Sequence, residues 1–377
     1  MDRQHGRWKL LLSFSLLLLF VVFLFSCHSH QPLAPISLGL AINLSGRGGA
    51  AGEDIRDGAI LAVNTINTTG GINGRPLKLL VRDDRNTPEG IRAADQSLAA
   101  EGVSAIIGHS TSGNTLLSYP FVTAQGILLI TPYAATNKLS GKDDLFVRTQ
   151  VNCDLYGKKA ASLFERRAIG SVALLMDMSN ADFVVDWKDS LQKYYHGRID
   201  TVMFNSRKEV HWSEIIASLS AMKTDAVLLL TEASMSGVAL QKLEAAGYDG
   251  GRFATVWADT PELLRYAGGS AENLRIITFI DPKNERPGYI AFSRAMEKSF
   301  HKKATARSSR AYEVVFILAD ALKRRTENTA TGLKNALLDG EYNTILGHLH
   351  FDKYGDVVRP IYEVMVHDNQ FQSNGSI

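Results

Sequence analysis

The chain has 377 residues, with 41 Lys and Arg against 39 Asp and Glu and a formal net charge of +2. That balance gives no electrostatic case for nucleic-acid binding. With only two cysteines, Cys27 and Cys153, and a hydrophobic fraction of 45%, the fold must stand on core burial rather than on a disulfide framework.

The N-terminus reads as a processing signal. Arg3, Arg7 and Lys9 precede an apolar run over residues 10–25, relieved only by Ser13 and Ser15. This run is short for a membrane span, which needs about 20 residues, but suits a signal-peptide core. It ends in Leu24-Phe25-Ser26-Cys27, a pattern that resembles a bacterial lipoprotein cleavage box. Residues 1–26 are therefore expected to be removed and Cys27 to carry lipid, with residues 27–35 as a tether. Lipid on Cys27 would make membrane contact an anchor rather than a span. A plain cleaved signal or an uncleaved anchor is the alternative, and each places the rest of the chain outside the cytoplasm. The remaining stretch of about 350 residues exceeds one comfortable core and predicts two domains.

From residue 36 a βα rhythm begins. Residues 36–42 form a strand, 53–67 a helix with Ile55, Ala59, Ala62, Val63 and Ile66 on one stripe, 77–81 a strand, 88–101 a helix and 103–107 a strand. The order argues a parallel sheet flanked by helices. The strand at 103–107 ends in Gly108-His109-Ser110-Thr111-Ser112, and the next, 126–130, in Thr131-Pro132-Tyr133-Ala134-Ala135-Thr136. Two successive strands thus end in small and hydroxyl-bearing residues. In an open parallel sheet ligands sit beyond the strand C-termini, where helix N-termini offer free N–H groups to an anion. A carboxylate or phosphate held by Ser112 and its neighbours is the first expectation; simple helix capping is the plainer reading.

A second unit repeats the rhythm. Helices are expected at 152–166, 184–195, 212–222, 237–246 and from 263, with strands at 169–176, 199–204, 226–230 and 253–256. This arrangement sets Phe183, Ala233-Ser234 and Trp257 at strand ends. Further on come a strand at 276–279, helices at 289–301, 310–323 and 331–340, a hairpin-like segment at 346–356 and a strand at 361–367. A polar, frayed tail is expected from 369 onward. Two such units facing each other would enclose a cleft lined by loop ends.

Catalytic patterns are missing: there is no GxSxG, HExxH or CxxC, and the segment 45–52 lacks the GxGxxG and Gly-Lys-Ser/Thr patterns that cradle phosphates. The adjacent Asp83 and Asp84 suit loop ordering better than a metal or ribose. His109 and Ser112 are three apart, with no carboxylate evidently placed to orient the imidazole. His348 and His350 share one strand face beside Asp352, a weak metal pattern, and a solvent-facing pair is the plainer reading. Cys153 reads as a small buried side chain. No catalytic residue, cofactor or resident metal is expected.

Four signatures, in this order and at these spacings, carry a family resemblance: residues 67–75, NTTGGINGR; Ile107 through Ser112 followed by GILLITP; Asp143-Asp144-Leu145-Phe146-Val147-Arg148; and Phe351-Asp352-Lys353-Tyr354-Gly355-Asp356. Over residues 36–370 the chain resembles the type I periplasmic solute-binding proteins, in the branch of the leucine/isoleucine/valine-binding proteins of ABC importers. The resemblance implies an α/β fold of two Rossmann-like lobes with parallel-type central sheets, joined by a three-crossover hinge that closes on a solute. Lobe 1 would hold 36–150 and 279–328, lobe 2 151–278 and 329–377. It implies a monomer that hands a small solute to a membrane permease and its ATPase; a sensory receptor coupled to a separate signalling protein is the alternative.

By the same resemblance, Ser112 with Thr111 would hold a solute carboxylate, and the amine would meet the Tyr133 carbonyl and a hydroxyl at position 135. Here position 135 is Ala135, with Thr136 adjacent. Phe183 takes the place of a lobe-2 Tyr, Ala233 lies at a strand end, and Trp257 replaces a Glu that holds the ammonium. Arg307 would add a cation. The carboxylate half of the site is thus retained and the amine half weakened, which favours an organic acid over a branched-chain amino acid.

Overall fold

The structure, a computed structural model, describes residues 33–45 and 49–377. The expected signal segment, Cys27 and Gly46, Arg47 and Gly48 of the first loop lie outside the described residues.

The first sheet is built from β1 (Ile36–Ile42), β2 (Leu77–Asp83), β3 (Ala105–Gly108), β4 (Leu128–Thr131) and β5 (Phe146–Arg148), in the order β2-β1-β3-β4-β5 and parallel throughout. β3 and β4 are buried along their whole length, as strands covered on both faces must be. The covering helices are α1 (Gly49–Thr68), α2 (Pro88–Ala100) and α3 (Ser112–Ala124). In α1 the stripe Ile55, Ala59, Ala62, Val63 and Ile66 faces the core. α2 starts where Thr87 Oγ1 accepts from the Gly90 amide at 3.0 Å and Pro88 fills the first turn.

The second sheet contains β6 (Ser171–Asp177), β7 (Arg198–Phe204), β8 (Ala226–Leu230), β9 (Gly251–Thr255), β10 (Arg275–Thr278), β14 (Tyr362–His367) and β15 (Gln370–Ser376). Its order is β15-β14-β10-β9-β8-β6-β7. Five strands are parallel, whereas β14 and β15 add antiparallel at one edge, so this central sheet is mixed. The tail from Asn369, expected to fray, instead forms the edge strand. Asp368 and Asn369 both take positive φ, 50° and 56°, the backbone of a two-residue hairpin turn that matches strand twist. Helices α4 (Cys153–Arg166), α5 (Ala181–Tyr194), α6 (Trp212–Met222), α7 (Ala233–Ala245) and α8 (Pro261–Ala267) cover this sheet.

After β10 the chain returns to the first lobe as α9 (Pro287–Phe300), α10 (Ala306–Arg324) and α11 (Ala330–Leu338). α10 lies so close to α1 that a Cβ on Gly58 would stand 2.1 Å from the Ser308 carbonyl oxygen. A small antiparallel sheet follows: β11 (Glu341–Thr344), β12 (Gly347–Phe351) and β13 (Val357–Val358). The segment 329–358, expected in lobe 2, packs on lobe 1 instead. Lys334 Nζ donates to the Asp144 carbonyl at 2.5 Å, and buried Arg148 pairs with Asp356 at 2.6 Å. Within the last turn, Asp352 Oδ1 accepts from the amides of Tyr354, Gly355 and Asp356. Two of the sequence signatures are therefore fasteners between this small sheet and the first one. Asn67, in a third, pairs through its amide with both backbone groups of Leu77, at 2.9 and 2.7 Å.

The chain crosses between lobes near Gln150, Phe279 and Arg359. Buried guanidinium groups tie the crossings together. Arg359 makes two 2.9 Å bonds to Glu313 and one of 3.3 Å to the Thr149 carbonyl. Arg310 donates to Gln150 Oε1 at 3.0 Å, and both arginines lie over the Phe279 ring.

Candidate functional site

Between the lobes lies a cavity of about 630 Å³, within the range of small-molecule sites. It forms where the sheets' loop ends meet, as the open parallel topology dictates. The first turns or caps of α1, α2, α3, α5, α7, α8 and α10 all contribute to its wall, through Ala51, Thr87, Thr111, Phe183, Ser234, Glu262 and Arg307 among others. Helix N-termini converging on one space favour negative charge there.

Five of the expected site residues line this cavity together: Thr111, Tyr133, Phe183, Trp257 and Arg307. Phe183 and Trp257 stand edge to face, with ring centroids 5.5 Å apart and planes at 79°, an apolar corner from lobe 2. Tyr133 donates its hydroxyl to the Arg307 carbonyl at 3.0 Å, and the Arg310 guanidinium lies over its ring at 4.7 Å. Burial pushes the Tyr133 phenol up, so it acts as a neutral hydroxyl. Arg307 reaches across the cleft to Glu262 on α8 at 3.4 Å.

The other four are not in the wall. Ser112 is buried, and its Oγ accepts from the amides of Ala135 and Thr136, each at 3.2 Å. It closes the loop after β4 onto α3. Ala135 is fully buried and its carbonyl accepts from Cys153 N at 2.8 Å. The Thr136 hydroxyl donates to Asp186 on α5 at 2.5 Å, so it fastens the lobes together near the hinge. Ala233 is the first residue of α7 and turns its methyl into the lobe-2 core, while its neighbours Glu232 and Ser234 reach the cavity.

The wall also contains groups that the sequence did not single out. Asp259, two residues beyond Trp257, is the main one. Thr278 Oγ1 donates to its Oδ2 at 2.7 Å. Burial lifts its carboxyl from 3.8 to about 6, against the opposing pull of the Thr278 bond, Arg310 and Arg307. The cavity wall thus holds a carboxyl two residues beyond Trp257. Arg310 brings a second cation, this one buried and held by the Pro132 carbonyl and Gln150. Asn180 and Thr260, also in the wall, each carry a buried side-chain oxygen with no hydrogen-bond partner among the described residues. Orphaned oxygens of this kind are uncommon in folded proteins.

His109 takes no part in the cavity. Its Nδ1 lies 2.6 Å from Asp84 and its Nε2 3.1 Å from Asp95, with all three side chains buried. The imidazole does have orienting carboxylates, from residues 25 and 14 positions upstream, but no nucleophile beside it in the cleft. Burial alone would lower its pKa; the two aspartates outweigh it and raise it to about 9. Cys153 is buried, with Sγ 3.7 Å from the Phe183 carbonyl.

Comparison with known proteins agrees with this architecture. A family model described as periplasmic binding protein matches residues 35–370. The Leu/Ile/Val-binding protein homolog 1 of Brucella abortus is 26% identical over 347 residues, covering 87% of this chain and 89% of that protein. Among solved structures, a leucine-binding protein from Thermotoga maritima superimposes with a TM-score of 0.82 at 19% identity, covering 91% of this chain and 98% of that one. A solute-binding protein from R. palustris in complex with benzoate gives 0.80 at 15% identity, covering 91% and 96%. The chain belongs to the periplasmic binding protein family, in its type I leucine/isoleucine/valine-binding branch, as a non-catalytic, extracytoplasmic solute-binding component of an ABC-type importer for small organic ligands.

Proposed function

We propose that the cleft takes a small carboxylate-bearing solute, with an amino acid of apolar side chain as the best fit, and that the chain delivers it to a membrane permease and its ATPase while tethered by lipid on Cys27. The observation that carries this reading is one cavity wall holding Arg307 and Arg310, Asp259, and the Phe183–Trp257 corner. Arginines and helix N-termini suit a carboxylate. Asp259 suits an ammonium once ionised, and the aromatic corner suits an apolar group. Thr111 and Ser110 take over the role expected of Ser112. The names of the relatives, and the benzoate in the R. palustris structure, accord with a solute of this size.

A second reading is an aromatic acid without an amine. The half-neutral state of Asp259 near pH 6 favours it, since a protonated carboxyl donates a hydrogen bond and needs no counterion. Thermal unfolding of the purified chain against leucine, isoleucine, valine, phenylalanine, benzoate, amine-free aliphatic acids, neutral sugars and polyamines tests both. A ligand that binds the native state alone raises Tm. A rise with amino acids supports the first reading and a rise with benzoate alone the second. A rise only with neutral or cationic solutes would sink both.

A further inference from the structure

We propose a divalent transition-metal site of the zinc type on the outer face of the small sheet, formed by Glu341, His348 and His350. It lies outside the solute cavity and does not depend on the solute. β11 and β12 run antiparallel, with Glu341 opposite His350 and Asn343 opposite His348. Side chains alternate along each strand. Tyr342, Leu349 and Phe351 therefore bury, which turns Glu341, Asn343, His348 and His350 outward.

The ligand atoms are already gathered. His348 Nε2 lies 3.1 Å from Glu341 Oε2, and His350 Nδ1 lies 4.0 Å from the same oxygen. One donor atom from each of the three residues falls within 4.8 Å of the others. Ligands about 2.0–2.1 Å from a tetrahedral zinc stand about 3.4 Å apart, so small side-chain adjustments close the set. Water or a partner group fills the fourth position.

The hydrogen bonding around His348 suits a metal ligand. Its Nδ1 lies 3.2 Å from the Asn343 amide oxygen. That oxygen can accept from Nδ1–H, which leaves Nε2, 3.1 Å from the Glu341 carboxylate, as the ring's ligand atom. An Nδ1–H held by a carbonyl oxygen is also the outer-sphere arrangement that orients zinc-bound histidines. Asp352, the partner the sequence offers, does not join this cluster; its Oδ1 is engaged by three amides of its own turn. Two imidazoles and a carboxylate suit Zn²⁺ above Mg²⁺ or Ca²⁺, which prefer all-oxygen sets.

The test uses the full chain, purified without a polyhistidine tag and stripped with chelator. It is titrated with Zn²⁺ against a chromogenic competitor, beside the His348→Ala/His350→Ala double variant. His28 and His30 remain in both proteins, so the difference between them reports this site alone. The expected result is one further equivalent of zinc in the unmodified chain. Glu341→Gln and Asn343→Ala should each weaken that equivalent about tenfold or more. Co²⁺ in its place should give the visible absorption of a four- or five-coordinate ion. The replaced side chains are exposed (57% for His348, 42% for His350), so Tm in chelator should match across variants. Equal stoichiometry and affinity in the unmodified chain and the double variant would overturn the proposal.

Discussion

Replacing Asp259 with Asn isolates the amine half of the proposed site. Asp259 is buried in the cavity wall, and in the empty protein its carboxyl titrates at about 6. An ammonium bound beside it requires the ionised form. At pH 7.5 nearly all of it is ionised, whereas at pH 5 only about one molecule in eleven is, so affinity for an amino acid should fall roughly tenfold between these values. The solute's own groups do not titrate in that window. At pH 6 binding should expel about half a proton, which appears as a dependence of calorimetric heat on buffer ionisation enthalpy. Asp259→Asn removes one partner of a buried charged contact, a loss on the order of 3 kcal/mol or about 100-fold in affinity. It should also flatten the pH profile, while an amine-free acid should bind the variant as well as before. Isothermal titration at pH 5, 6 and 7.5 reads all of these. A flat profile for an amino acid in the unmodified protein, or equal affinity in the variant, would refute the assignment of Asp259.

Other expectations follow from the same geometry. Glu313→Gln leaves Arg359 buried without its counterion at the hinge, at a cost of about 3–5 kcal/mol, so Tm should drop by roughly 10 °C; the double change with Arg359→Met should recover most of it. The His109 pKa is raised to about 9, so its contribution to stability is complete below about 6.5 and is lost as pH rises through 9. On the order of 3 kcal/mol should disappear across that window, and Asp95→Asn should shrink the loss in denaturant titrations at pH 6 and 10. Cys27→Ala should abolish incorporation of labelled fatty acid; an unmodified chain that takes up no label would mean a plain cleaved signal or an uncleaved anchor instead.

Much of the fold is legible because buried parallel strands are continuous apolar runs. Ala226–Leu230 is an example, its bounds as expected and every residue buried. The stripe of α1 is legible for the same reason. The edge strand β15 is not, since its exposed polar residues show no apolar alternation; only the turn pair Asp368-Asn369 hinted at it. Long-range fasteners are equally silent. Nothing local in Arg148 announces Asp356, or in His109 announces Asp84 and Asp95. In the cavity wall, Phe183 and Trp257 are legible as aromatics at strand ends, where the topology exposes side chains. The burial of Ser112 and Thr136 away from the wall is not legible, because spacing tells which loop a hydroxyl occupies but not which way it turns. Asp259 is not legible because the resemblance points to position 257, while the loop carries its carboxylate two residues later.

The central claim is that solute binds between the lobes, and filling that space tests it most directly. Ala51 lies in the cavity wall on the first turns of α1, and Ala51→Trp would occupy the cleft while leaving both cores intact. Calorimetric titration of the unmodified chain with its best-stabilising carboxylate should give saturable one-to-one binding. Ala51→Trp, with an unliganded Tm close to that of the parent, should give none. Undiminished binding by this variant would mean that the solute sits elsewhere and that the cavity has been misassigned.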